Sequence, residues 1–185
     1  MRTSQDDPLQ IDFVSVPDST GRIGMTFCPG KKQRGAMTGD WNRDLILDLD
    51  AIQIWGASVI VNLIEDHEMV ELEVRDAERH VPVGIDYIRL PIPDYGVPDR
   101  AWHQQWQLQG PQLRDRLRAG ESIVLHCKGG LGRTGMVAAR ILVELGCTPQ
   151  EAILAVREAR EGAIETAGQE TYVRRVGRGD RCGIS

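Results

Sequence analysis

The sequence predicts a single α/β domain, with a central, mostly parallel sheet covered by helices on both faces. Three observations lead there. Short apolar runs rich in β-branched residues alternate along the chain with longer stretches whose apolar positions recur at helical spacing. No internal repeat or low-complexity linker divides the 185 residues, a length usual for one compact domain. Hydrophobic residues make up 41% and charged residues 26%, an ordinary globular balance that supplies one core.

Residues 9–16 carry enough apolar and β-branched side chains for a strand, and 23–27 offers a second before the break at Cys28-Pro29-Gly30. Residues 31–39 read as a polar, glycine-bearing loop. From Asp40, the apolar positions Leu45, Leu49 and Ile52 recur at helical spacing up to Trp55, and Gly56 is the stop. A buried strand over 58–64, a helix over 66–80 and a strand over 84–90 follow. The next stretch contains Pro91, Pro93 and Pro98, which rule out regular structure and imply a shaped loop. Residues 99–118 have helical composition, with a split or kink expected at Gly110-Pro111 and Gly120 as the close. A strand over 122–126 leads into a glycine-rich loop, and 136–145 is an apolar helix capped by Gly146. Thr148-Pro149-Gln150-Glu151 matches a capping box with proline at the first helical position, opening a helix that runs to about Arg160. A last helix covers 169–176. The layout divides into N-terminal strands and loop (1–39), a core carrying the chemistry (40–178) and a flexible tail (179–185). In such a fold the chemistry sits at the carboxyl ends of strands.

The formal net charge of -5 gives no electrostatic footprint for nucleic-acid binding. The first ten residues are polar, unlike the cationic start and apolar run of a secretory signal, and no apolar stretch reaches the roughly 20 residues needed to span a bilayer. Cys28, Cys127, Cys147 and Cys182 show no pairing rhythm and no Cys-x-x-Cys, so neither a disulfide scaffold nor a zinc knuckle is expected. A reducing cytoplasm fits this composition.

The segment from Cys127 to Arg133 has the form Cys-x5-Arg, set between a hydrophobic strand and a hydrophobic helix. Gly129, Gly130 and Gly132 let the backbone turn so that successive N–H groups of Lys128 through Arg133, Leu131 included, form an anion-binding nest. The following helix adds the positive end of its dipole, and Arg133 offers a planar fork to two phosphate oxygens. The same field favours the thiolate of Cys127 over the thiol. His126 either orients the loop or is a hydrogen-bonded structural histidine. The Thr134 hydroxyl either bonds the thiolate or caps the helix. Lys128 adds a cation to the loop or is simply solvated. Splitting a phosphate ester also takes a proton for the departing oxygen, and Asp94, in the proline-bracketed loop, is the leading candidate to supply it. Asp99 is better explained as a helix N-cap, while Asp94 as a plain turn residue stays open.

His126-Cys127 through Gly135 resembles the signature loop of protein tyrosine and dual-specificity phosphatases. Pro91-Ile92-Pro93-Asp94 is similar to the general-acid loop of the kinase-associated phosphatases, and Gly162-Ala163-Ile164-Glu165-Thr166 continues the likeness to Tyr172. The resemblance implies the protein tyrosine phosphatase fold, with Cys127 as nucleophile, Arg133 as phosphate clamp, Asp94 as general acid and Thr134 assisting breakdown of a cysteinyl-phosphate. It makes Gln169 either a residue that places the hydrolytic water or a surface helix residue. It calls for no metal or other cofactor and implies phosphorylated proteins as substrates, while the charge and the lack of a long apolar stretch lead to no expected nucleic-acid or membrane partner. Thr134 stands where those enzymes carry serine, and the N-terminal part matches only partially. Phosphoinositide, inositol phosphate or RNA 5′-phosphate hydrolysis, a rhodanese-like sulfurtransferase and a non-catalytic phosphoprotein-binding module are the competing readings. Trp102 and Trp106, at helical i, i+4 spacing, are packing residues. Lys31, Lys32 and Arg34 read as a solvated loop or a small basic rim. Cys28 and Cys147 are inert thiols, or partners for a protective disulfide with Cys127.

Overall fold

The computed structural model describes residues 1–36 and 39–176, so Cys182 and the expected tail over 179–185 lie outside the described residues. Its main sheet has the order β1-β2-β7-β5-β6, formed by β1 (Asp12–Ser15), β2 (Arg22–Phe27), β5 (Ala57–Asn62), β6 (Asp86–Arg89) and β7 (Ser122–Cys127). Only β1 runs antiparallel; β2, β7, β5 and β6 are mutually parallel. All six residues of β7 are buried, as the central strand of a sheet covered on both faces requires. Its neighbours are in register at the functional end, with Phe27 beside Cys127 and Asn62 beside His126.

Period-2 alternation splits the sheet side chains between two cores. Ile60 and Val124 pack with Leu49 and Ile52 of α1 (Leu45–Trp55). Val59, Val61, Ile123 and Leu125 face the larger cluster, which includes α3 (Arg100–Arg118), α4 (Gly132–Glu144), α5 (Pro149–Ala159) and α6 (Ala167–Val176). Stacked Trp102 and Trp106, with ring centroids 4.9 Å apart, are buried there, and Arg140 lies over both rings. No helix among the described residues is long and apolar enough to cross a membrane.

Three expectations need correction. The helix expected from Asp40 begins at Leu45, because the Asp44 side chain accepts the N–H groups of Ile46 and Leu47 and residues on its N-terminal side pair as a short ladder, β3 (Lys32–Gln33) with β4 (Trp41–Asn42). The helix expected over 66–80 stops after one and a half turns as α2 (Asp66–Glu71). Glu73 adopts φ 58°, and only a 3₁₀ turn, Ala77–His80, follows. Gly110-Pro111 does not split α3, which runs on to Arg118. Gly110 lies where a Cβ would meet at 2.7 Å the ring of Trp106, one turn earlier in the same helix, so the glycine makes room for that buried ring.

The N-terminal segment is tied into the sheet by a buried ion pair. Arg43 donates to both carboxylate oxygens of Asp48 at 2.8 Å, and its third nitrogen donates to the Asp7 carbonyl at 2.8 Å. Asp48 also accepts the Gly30 N–H at 2.8 Å, which fixes the turn after β2.

Candidate active site

The loop leaving β7 is shaped from behind. The Lys128 carbonyl accepts hydrogen bonds from the Cys28 N–H (3.4 Å) and from Lys31 Nζ (3.3 Å), while Arg160 donates to the carbonyls of Gly130 (2.6 Å) and Gly129 (3.4 Å). In a planar trans peptide the next N–H points opposite to each carbonyl. The N–H groups of Gly129, Gly130 and Leu131 therefore face inward, as an anion nest requires. Cys127 is buried and its Sγ accepts the Gly130 N–H at 3.2 Å. Gly130 has φ 74°, and a Cβ there would sit 2.4 Å from the Thr26 backbone, so no other residue fits. Gly129 meets open space instead; sterics do not require that glycine.

Arg133, one residue into α4, is buried and held on two sides. Its two terminal nitrogens donate to the Glu68 carboxylate at 2.6 and 2.9 Å, and one also donates to the Ile92 carbonyl at 3.1 Å. Asp94 lies 2.9 Å from the other nitrogen. Burial works against the guanidinium charge, but the Glu68 hydrogen bonds and the nearby Cys127, Glu68 and Asp94 charges hold its pKa above the ordinary value. On Glu68 burial likewise opposes the charge, and the bonds from Arg133 and the Glu65 N–H outweigh it, leaving the carboxyl below its usual range. Asp94 is partly exposed on the proline loop, where it accepts the Tyr95 N–H, and Asp99 accepts the Trp102 N–H at 2.8 Å as the N-cap of α3.

The remaining expected residues sort by their contacts. Gln169 is fully buried, not a surface residue. Its Nε2 donates to the Gly96 carbonyl at 3.4 Å and its Oε1 accepts the Thr166 N–H at 3.3 Å, which links α6 to the Asp94 loop. Thr134 is the third residue of α4, whose N-cap is Leu131, so its hydroxyl is not a helix cap; that oxygen is buried without a hydrogen-bond partner. His126 is buried with Nδ1 unpartnered. Burial pushes its pKa down to about 4, the contact with the Cys127 backbone opposes this, and the ring is neutral at pH 7. Lys128 is neither a bare cation nor fully solvated, since its Nζ pairs with Glu71 at 2.9 Å.

Four residues in contact with this cluster escaped the sequence reading. Glu68 had one signal: it lies in an acid-rich segment just past a strand that neighbours β7. Arg160 was placed only as a helix end, and Glu165 only within the family-like stretch. Glu165 Oε2 accepts the Gly132 N–H at 2.8 Å. Lys31 is not part of a solvated basic rim. It is buried, with Nζ 3.8 Å from the Trp41 ring centroid and 5.1 Å from that of Phe27, and burial lowers its pKa to about 8. Cys28 and Cys147 are free; burial raises the pKa of both thiols.

This geometry joins a buried cysteine, an inward-facing backbone nest and a carboxylate-anchored arginine, the parts of a site that holds a phosphate beside a nucleophile. The sequence model of a family described as "Polymorphic toxin system, DSP-PTPase phosphatase" matches residues 44–147, more than half of the chain. The chain belongs to this DSP-PTPase family. It is a cysteine-dependent phosphatase of the protein tyrosine and dual-specificity class. A curated relative, cyclin-dependent kinase inhibitor 3 of Rattus norvegicus, is 28% identical over 172 residues, covering 90% of this chain and 77% of the relative. A probable protein tyrosine phosphatase type IVA A of Dictyostelium discoideum is 34% identical over 83 residues, covering 44% and 49%. Among solved structures, kinase associated phosphatase with its catalytic-site cysteine replaced by serine superposes with a TM-score of 0.77 at 26% identity, over 89% of this chain and 92% of that one. The DSP-PTPase fold of these neighbours is the one described above.

Proposed function

We propose that the site hydrolyses phosphate monoesters on phosphorylated proteins through a cysteinyl-phosphate. The substrate phosphate lies in the nest of Lys128 to Arg133, the Cys127 thiolate attacks phosphorus, and Asp94 protonates the departing oxygen. Water then attacks the cysteinyl-phosphate, Asp94 accepts its proton, and Cys127 leaves as thiolate, to which the unpartnered Thr134 hydroxyl can donate. Gln169 places this water, and His126 supports the loop from behind.

The 2.9 Å approach of Asp94 to Arg133 carries the reading, because it brings the candidate acid to the group that would grip the phosphate. Charge balance supports a phosphoprotein over a phosphoinositide, an inositol phosphate or an RNA 5′-phosphate. Lys128 is matched by Glu71 and Arg133 by Glu68, which leaves little excess positive charge for a second phosphate. The whole chain serves as one phosphatase domain in this reading, residues 1–39 being anchored through Arg43. Relatives named as kinase-associated support a phosphoprotein partner, and the cysteine usage supports a cytoplasmic setting.

The test is the pH–rate profile on an aryl phosphate and on tyrosine-, serine- and threonine-phosphorylated peptides for wild type, Cys127→Ser and Asp94→Asn. Activity persisting in Cys127→Ser would sink the mechanism. An unaltered profile in Asp94→Asn would remove only the acid.

A further inference from the structure

A carboxylate meets the last turn of the anion-binding loop. Glu165 Oε2 accepts the N–H of Gly132, the first residue of α4, at 2.8 Å. Gly132 has no room to spare: a Cβ there would lie 2.4 Å from Glu165 Oε2 and within 2.9 and 3.0 Å of the two Gln169 amide atoms. The contact is also held from the backbone side. Ile164, the preceding residue, is β-branched and has φ 61°, an outlier for such a residue. Its N–H donates to the Leu131 carbonyl at 3.4 Å, and Arg157 donates to the carbonyls of Ala163 (3.2 Å) and Ile164 (3.1 Å). Thr166 then caps α6 by accepting the Gln169 N–H at 3.1 Å. The backbone around Ile164 is thus tied to the loop on one side and to Arg157 of α5 on the other, while the Glu165 side chain is exposed.

We propose that Glu165 is an affinity-determining residue of the phosphate site, a resident carboxylate that an incoming phosphate displaces from the Gly132 N–H. The inference rests on the loop being the phosphate site. Two anions cannot share one donor, and like charges a few ångströms apart repel strongly where water is partly excluded. Glu165 therefore weakens the hold on free phosphate and speeds its release, and it selects for substrates whose remaining part adds binding energy of its own. No proton or bond changes hands in this step; one hydrogen-bond acceptor replaces another.

The experiment is calorimetric titration of inorganic phosphate into wild type, Glu165→Gln, Glu165→Ala, Glu161→Gln and Arg133→Lys, with inhibition by phosphate measured on the active forms. Both Glu165 variants are expected to bind phosphate at least tenfold more tightly. Glu161→Gln, which removes the same charge four residues earlier, is expected to match wild type. Affinity in both Glu165 variants equal to or weaker than wild type overturns the proposal, as does equal tightening by Glu161→Gln. Arg133→Lys separates the two readings. If it leaves phosphate binding intact, the phosphate site itself is misassigned, whereas lost binding there combined with no gain in the Glu165 variants removes only the role of Glu165.

Discussion

Glu68 holds Arg133 from below with two parallel hydrogen bonds, of 2.6 and 2.9 Å, between two buried side chains. This bidentate pairing sets the plane of the guanidinium and leaves its remaining edge directed at the Asp94 loop. Removing the carboxylate frees a buried cation. Glu68→Ala is expected to cost about 3 kcal/mol in urea unfolding, since a buried cation is left with only the half-exposed Asp94 carboxylate beside it. Glu68→Gln keeps the volume but loses the charge-assisted pair, and a clamp displaced by about 1 Å is expected to lower kcat/KM about a hundredfold. Wild-type kcat/KM in Glu68→Gln would show that Arg133 needs no anchor.

The two adjacent loop glycines make a paired test. At Gly130 the backbone has φ 74° and a Cβ would press on Thr26 at 2.4 Å; at Gly129 neither constraint exists. Gly130→Ala is expected to destabilise by about 1–3 kcal/mol or more. Gly129→Ala is expected to stay within about 0.5 kcal/mol of wild type by thermal or urea unfolding. Equal losses at the two positions would mean that the loop is not shaped by its contact with β2.

Why Gly130 is irreplaceable could not be read from the sequence, although the loop itself could. The strand, the glycines and the apolar helix are local patterns, and so are the caps at Asp99 and Thr148, both of which form. Glu68, Lys31, Arg160 and Glu165 meet the loop only because the order β2-β7-β5 sets the ends of three strands side by side and α5 and α6 return across them. The acid-rich segment around Glu68 hints at a role but names no partner, and nothing within a few residues of Lys31, Arg160 or Glu165 announces one. The same reason explains the misread helix over 66–80: helical composition persists, but Glu73 turns left-handed where Val74 and Ala77 enter the core.

Arg43 and Asp48 form an ion pair with essentially no exposed surface. Asp48 also orders Gly30 and, through it, the turn that carries Lys31. Asp48→Ala is expected to lose about 3–5 kcal/mol, whereas the double variant Arg43→Met/Asp48→Leu, which removes both charges, is expected to lose much less. Urea midpoints for the single and double variants decide this. A double variant as unstable as the single one would indicate that the hydrogen bonds to Asp7 and Gly30, not the pairing of charges, hold the N-terminal segment.

Lys31 buries an ammonium against two aromatic rings and a carbonyl, with no carboxylate paired to it among the described residues. Burial lowers its pKa from 10.5 in the unfolded chain to about 8 in the native state. Below about pH 8 both states carry the proton, and folding bears the full cost of burying the charge. Between about 8 and 10.5 the unfolded chain binds more protons than the native protein, so the contribution of this residue to stability rises with pH. A shift of this size amounts to about 2 kcal/mol gained between pH 8 and 10. Lys31→Met, which fills the same space without a charge, is expected to lack that gain. The readout is unfolding free energy at the two pH values for both proteins, with the difference between them isolating Lys31 from other groups that titrate in the same range. Parallel pH profiles would mean that the ammonium is solvated well enough to keep its ordinary pKa, and that Lys31 does not serve as a buried cation behind the Cys127 loop.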